Sequence, residues 1–137
     1  MKPTLTAGME FTHRYRVPTA KTVPHVFEES DLFRAMPAVF ATAFMVGLME
    51  WACMEALAPH LDPGEGSLGI QINVSHSAAT PPGMAVTVDV TCAEVAGQRT
   101  VWDIVARDEV EEIGRGTHER FTVNLERFAR NVAAKKS

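Results

Sequence analysis

The sequence predicts an α+β domain in which an antiparallel sheet wraps one long central helix. Three observations carry that expectation. The stretch from Ala38 to Ala58 is apolar on nearly every side, its polar side chains being Thr42, Glu50 and Glu55. Segments with period-2 alternation follow it, separated by turns such as Pro63-Gly64-Glu65-Gly66 and Pro81-Pro82-Gly83. Consecutive strands after a single helix form an antiparallel sheet with the helix on one face.

In chain order, Met9 to Val17 alternates loosely and reads as a first strand. Val26 to Met36 contains the acidic knot Glu28-Glu29-Ser30-Asp31, which suits a short helix start or a lid. Pro37 can occupy a first helical turn, so the central helix is expected from there to about Ala58, where Pro59 stops it. Leu68, Ile70, Ile72 and Val74 then share one strand face. Met84, Val86, Val88, Val90 and Cys92 share a face of the next strand. Val101 to Arg107 is a third strand of this group, and Val110 to Asn124 a fourth, with Asp108-Glu109 turning between them. Leu125 to Ser137 has weak helical character. One sheet covers only part of a helix that is apolar all round. A second copy of the chain is the simplest cover for the rest.

A length of 137 residues fits one domain with its own core. The net charge of −4 argues against nucleic acid, which needs a basic footprint. Arg34, Arg115, Arg120, Lys135 and Lys136 could still hold a small phosphorylated ligand. No apolar stretch is long enough for a membrane span, and no basic start followed by an apolar core suggests a signal peptide. Cys53 and Cys92 lie in apolar segments and read as free thiols in a reducing cytoplasm. The five histidines are too scattered for a metal centre. No cofactor is expected.

Glu50 is the first candidate for chemistry. A carboxylate within so apolar a helix is costly unless paired, hydrogen-bonded or protonated, and burial tunes such groups toward proton transfer. His76 continues the even-numbered series of Leu68 to Val74, so it is expected on the helix side, near Glu50. The simpler alternative is a strand-end histidine half in solvent. Thr42 lies eight residues before Glu50, about 80° round and about 12 Å along the helix. The two cannot reach one carbonyl carbon from a single helix, so either the site is elongated or the groups come from different subunits. Taken from the residues alone, back-bonding of the Thr42 hydroxyl to its own helix is the commoner use and the favoured reading. Gly69 suggests a bulge or close approach by a ligand. Gly114 and Gly116 leave room on a strand face shared with Arg120. Glu55 reads as a solvated edge and Cys53 as packing.

Five blocks carry a resemblance. They are Val39-Phe40-Ala41-Thr42; Gly47-Leu48-Met49-Glu50-Trp51-Ala52-Cys53; Pro63 to Gly69; His76 with Ala79-Thr80-Pro81-Pro82-Gly83; and Glu112-Ile113-Gly114 with Gly116-Thr117-His118-Glu119-Arg120. In this order and spacing they resemble the fluoroacetyl-CoA-specific thioesterase family, over most of the chain from about Gly8 to Phe128. The resemblance implies a hotdog fold, a homodimer, and hydrolysis of a short acyl-CoA, with coenzyme A as part of the substrate. It implies catalytic roles for Thr42, Glu50 and His76, and ligand contacts at Val23, Gly69 and Arg120. Fluoroacetyl-specific members have a Phe-x-x-Phe lid. Here that segment is Phe33-Arg34-Ala35-Met36, and a flexible methionine stands where the second aromatic ring would gate the acyl pocket.

Two other functions fit the same architecture. One is a hydratase acting on enoyl-CoA, though its short Asp/His segment is not found. The other is a non-catalytic dimer that binds acyl-CoA.

Overall fold

A computed structural model describes residues 1–136. The strands are β1 (Glu10–Arg16), β2 (Glu65–Val74), β3 (Ala85–Ala96), β4 (Arg99–Arg107) and β5 (Glu112–Asn124). The helices are α1 (Asp31–Arg34), α2 (Thr42–Leu57) and α3 (Leu125–Ala133). All pairings are antiparallel, in the order β1-β3-β4-β5-β2. The expected α+β architecture is present.

The core forms between the sheet and one face of α2. Met45, Leu48, Met49, Ala52, Cys53 and Leu57 are buried against Val86, Val88, Val90, Cys92, Trp102, Ile104 and Ile113. The alternation read in β3 places its valines and Cys92 inward as expected. Trp51 and Met54, on the other side of the helix, are exposed. A single five-stranded sheet therefore leaves one flank of α2 uncovered.

The helix begins later than Pro37 suggested. Phe40 forms a bridge with Thr22 and Ala41 is extended, because the backbone groups here are already engaged elsewhere. Val23 N–H donates to the Val39 carbonyl, Phe40 N–H to Thr80 and Ala41 N–H to Lys21. That clamp fixes the entry to α2 and makes Thr42 its first residue. The stop at Pro59 is a single 3-10 turn, Ala58–His60. The last strand starts at Glu112, since the Asp108 carboxylate accepts from Val110 N–H and Glu111 N–H and turns the chain there.

The even-numbered series in β2 is broken. The register shifts between Gly69 and Gln71, leaving Ile70 as an extra residue. Leu68 pairs with Phe121 on the outer face, whereas Ile72 pairs with buried His118 and so faces the helix. The expectation that Leu68 to Val74 share one face fails at this bulge.

Candidate active site

Two polar clusters flank α2, one at its start and one at its middle. At the start, the Thr42 hydroxyl shares a hydrogen bond of 2.7 Å with Nδ1 of His76. Thr42 opens the helix, so no preceding turn offers a carbonyl for back-bonding, and the alternative use for its hydroxyl falls away. His76 follows β2, held in place by Ser75 N–H on Arg115 and Ser77 N–H on Ile113. It lies on the helix side as expected, though the bulge rather than a uniform alternation puts it there. Burial holds its imidazole below the usual histidine range. Its Nε2 is buried with no hydrogen-bond partner among the described residues. Val23, Val39, Phe40 and Ser77 to Ala79 line the surrounding cleft.

At the middle of α2, Glu50 faces β5 and the β2 edge. Its Oε2 accepts from Arg120 Nη1 at 3.0 Å. Glu50 is not sequestered, since 38 % of its side chain is exposed while that of Arg120 is only 3 % exposed. The carboxylate is held by charge and hydrogen bonding at the rim of a cleft rather than sealed in the helix core. Gly69, Ile70, Gln71, Ile72 and His118 line that cleft with it. A β-carbon on Gly69 would lie 2.5 Å from Glu50 Oε2 and 3.2 Å from His118 Cε1. The bulge read from Gly69 is present, and the space its missing β-carbon leaves is filled by the Glu50 carboxylate.

Arg120 is tied down on every side. Its Nε donates to Ser67 Oγ and its Nη2 to the Ser67 carbonyl, both at 2.8 Å, while Nη1 also lies 3.1 Å from His118 Nε2. The room expected beside Gly114 and Gly116 is absent. A β-carbon on Gly116 would land on the Asn73 carbonyl, and one on Gly114 on the Ser75 carbonyl. These glycines let β2 approach β5 and do not frame a ligand. Among the other basic candidates, Arg34 pairs with Asp31 and Arg115 with Glu112.

His118 is the site residue that sequence reasoning missed. It precedes Arg120 by two on the same face, a spacing that could have flagged it. Phe33 packs its ring against Phe27, 5.5 Å between centroids, and Met36 is exposed beside it. Glu55 is exposed and accepts from Trp51 Nε1. The thiol of buried Cys53 is pushed up to about 12 by desolvation. Within one chain the Thr42–His76 pair and Glu50 therefore share the helix side of the sheet but occupy separate clefts.

A sheet of this order around one helix is the hotdog architecture, the class of acyl-thioester enzymes. A hot-dog-like protein from Thermanaerovibrio acidaminovorans has the same fold, with a TM-score of 0.81, 24 % identity, and coverage of 97 % of this chain and 94 % of that one. The chain belongs to the fluoroacetyl-CoA-specific thioesterase family, whose model matches residues 19–126. It is 54 % identical to a fluoroacetyl-CoA thioesterase from Streptantibioticus cattleyicolor over 135 residues, 98 % of this chain and 97 % of that protein. It is also similar to the crystal structure of a mutant fluoroacetyl-CoA-specific thioesterase in complex with fluoroacetate and CoA. The TM-score is 0.89 at 56 % identity, covering 90 % of this chain and 99 % of that one.

Proposed function

We propose that this chain hydrolyses fluoroacetyl-CoA, or a similarly short acyl-CoA, as a homodimer whose active sites are shared between protomers. One observation carries the reading: a thioesterase-family chain keeps its Thr42–His76 pair and its Glu50 in separate clefts near opposite ends of one edge strand.

That strand is suited to a second copy. From Gly66 to Ser75 it has no charged residue, and Ile70 and Ile72 are exposed on it. The other edge, β1, carries Glu10, Arg14 and Arg16. Charges blunt an edge against pairing, and an uncharged apolar edge invites it. Antiparallel pairing of β2 with its own copy would bring the end of one β2 opposite the start of the other. The partner subunit's His76 would then approach Glu50 and Gly69. The orphaned Gln71 Oε1 and His76 Nε2 lie along the same edge and support that closure.

In the assembled site, the thioester carbonyl sits between the two clusters. The new C–O bond forms from a water that gives its proton to Glu50, or from Glu50 itself, in which case water then cleaves the anhydride to the free acid and restores the carboxylate. The C–S electron pair leaves on the CoA sulfur, which takes a proton through His76, and the proton released by the attacking water restores the ring. Thr42 orients the imidazole through Nδ1. The Gly69 amide meets the developing oxyanion. Val23 lines the Thr42–His76 cleft, Arg120 holds Glu50 from behind, and Phe33 with Met36 supplies the lid. Coenzyme A enters as part of the substrate. No described helix is long and apolar enough to cross a membrane. The two free, buried cysteines suit a reducing, cytoplasmic setting.

The test is thiol release from fluoroacetyl-CoA and acetyl-CoA, followed with a thiol-reactive dye. Glu50→Ala and His76→Ala are expected to slow release on the order of 100-fold or more. Tight binding without release by the unmodified protein would instead identify an acyl-CoA-binding dimer. Release unaltered in both variants would refute the assigned roles. A single turnover in 18O-labelled water separates the two routes, since label in the Glu50 carboxylate requires an anhydride.

A further inference from the structure

Arg120 reaches Glu50 through a guanidinium whose orientation is set by its other partners, and the most informative of these is His118. The ring of His118 is 1 % exposed. Its Nδ1 lies 2.6 Å from the carbonyl oxygen of Gln71, beside the β2 bulge. A carbonyl only accepts, so Nδ1 carries the hydrogen. Nε2 faces Arg120 Nη1 at 3.1 Å, and a guanidinium only donates, so Nε2 must offer a lone pair. These two contacts fix the neutral Nδ1–H tautomer. Burial and the neighbouring Arg120 charge both disfavour a second proton on the ring.

One hydrogen of Nη1 is thereby spent on His118, leaving the other for Glu50 Oε2. Ser67 occupies Nε and one side of Nη2. The fork then has one orientation in which all these bonds hold, and that orientation binds a single carboxylate oxygen. We infer that His118 is a positioning residue of the thioesterase site, acting as a neutral acceptor that locks Arg120 so that Glu50 presents Oε1 to the substrate. This rests on the role proposed above for Glu50. It requires no proton transfer at His118.

The test compares His118→Leu with His118→Gln. Glutamine can present a donor and an acceptor with a separation similar to that of the ring nitrogens, whereas leucine presents neither. His118→Leu is expected to lower kcat by about 10- to 100-fold with KM within about twofold, the signature of misplacement rather than lost binding. His118→Gln should recover kcat to within about threefold of the unmodified protein. Melting temperature and CoA binding confirm that both variants are folded. An independent readout needs no turnover. In 15N NMR the two Nη resonances of Arg120 should stay resolved in the unmodified and glutamine proteins, and broaden toward one another in the leucine protein as the guanidinium loses one of its anchors. If folded His118→Leu keeps its kcat and its resolved Nη signals, or if glutamine rescues no better than leucine, the inference is overturned. If the unmodified protein releases no thiol, the functional reading fails, while the NMR comparison still decides this one.

Discussion

The space above Gly69 belongs to Glu50, because a β-carbon built on the glycine would stand 2.5 Å from Glu50 Oε2. What it would strike is the far end of a flexible side chain, not backbone. The Gly69→Ala protein should therefore fold with nearly unaltered thermal stability while Glu50 swings away from Arg120. Hydrolysis is expected to fall about 10- to 100-fold. Gly116→Ala provides the contrast, since its methyl meets the Asn73 backbone, which cannot yield. A loss of about 3 kcal/mol or more is expected from chemical denaturation. Equal stability losses in the two variants would contradict this division of roles.

Mixing inactive chains tests the shared site. Glu50→Ala and His76→Ala proteins, each nearly inactive, are unfolded together and refolded. If the two groups come from different protomers, half of the dimers are mixed and each has one intact site, so about a quarter of the original activity returns. If one chain supplied both groups, no activity would return. Ile72→Lys, which charges the free edge of β2, should yield an inactive monomer in light scattering.

Histidine burial sets an acid-side stability window. His76 and His118 are both held below the ordinary histidine value, with desolvation the largest cause in each. Such a group binds protons more readily in the unfolded chain. Stability is then full above the unfolded value of about 6.5 and declines as pH falls through it toward the folded values. The melting temperature should drop between pH 7.5 and pH 5.5. That drop should be smaller in His118→Gln, and an identical slope would count against the assignment. Glu112 and Asp108, both held below the usual carboxylate range, act in a more acidic window.

The segment Phe33 to Met36 is the proposed lid, and selectivity tests it. Met36 stands in the segment after Phe33, with its side chain exposed next to α1. A rigid aromatic ring should shape the acyl pocket more tightly than a flexible thioether. Met36→Phe is expected to raise the ratio of kcat/KM for fluoroacetyl-CoA over acetyl-CoA. A ratio that stays fixed would remove residue 36 from selectivity.

The parts of this molecule legible in its sequence are those written in one segment. The apolar run gave the helix, and the alternating valines of β3 gave a buried strand with its correct face. Glu50 stood out because a charge within that run needs a partner. The partner itself was hidden. Arg120 is a residue type that usually lies in solvent, and its burial depends on Ser67, Glu50 and His118, brought together from two strands and a helix. The bulge at Ile70 was equally faint, with Gly69 its one signal. Gly114 and Gly116 were read as open space, because a strand's own sequence does not reveal how closely its neighbour passes.

The extra residue in β2 has a consequence beyond its local kink. Ser67 and Gly69 are odd-numbered and His76 is even-numbered, yet all three face the helix. On an unbroken ribbon the imidazole would point the opposite way from the glycine. A strand of the same length that took Ile70 up into regular alternation would keep every reactive group and still lose the reaction, because its two ends would no longer look inward together.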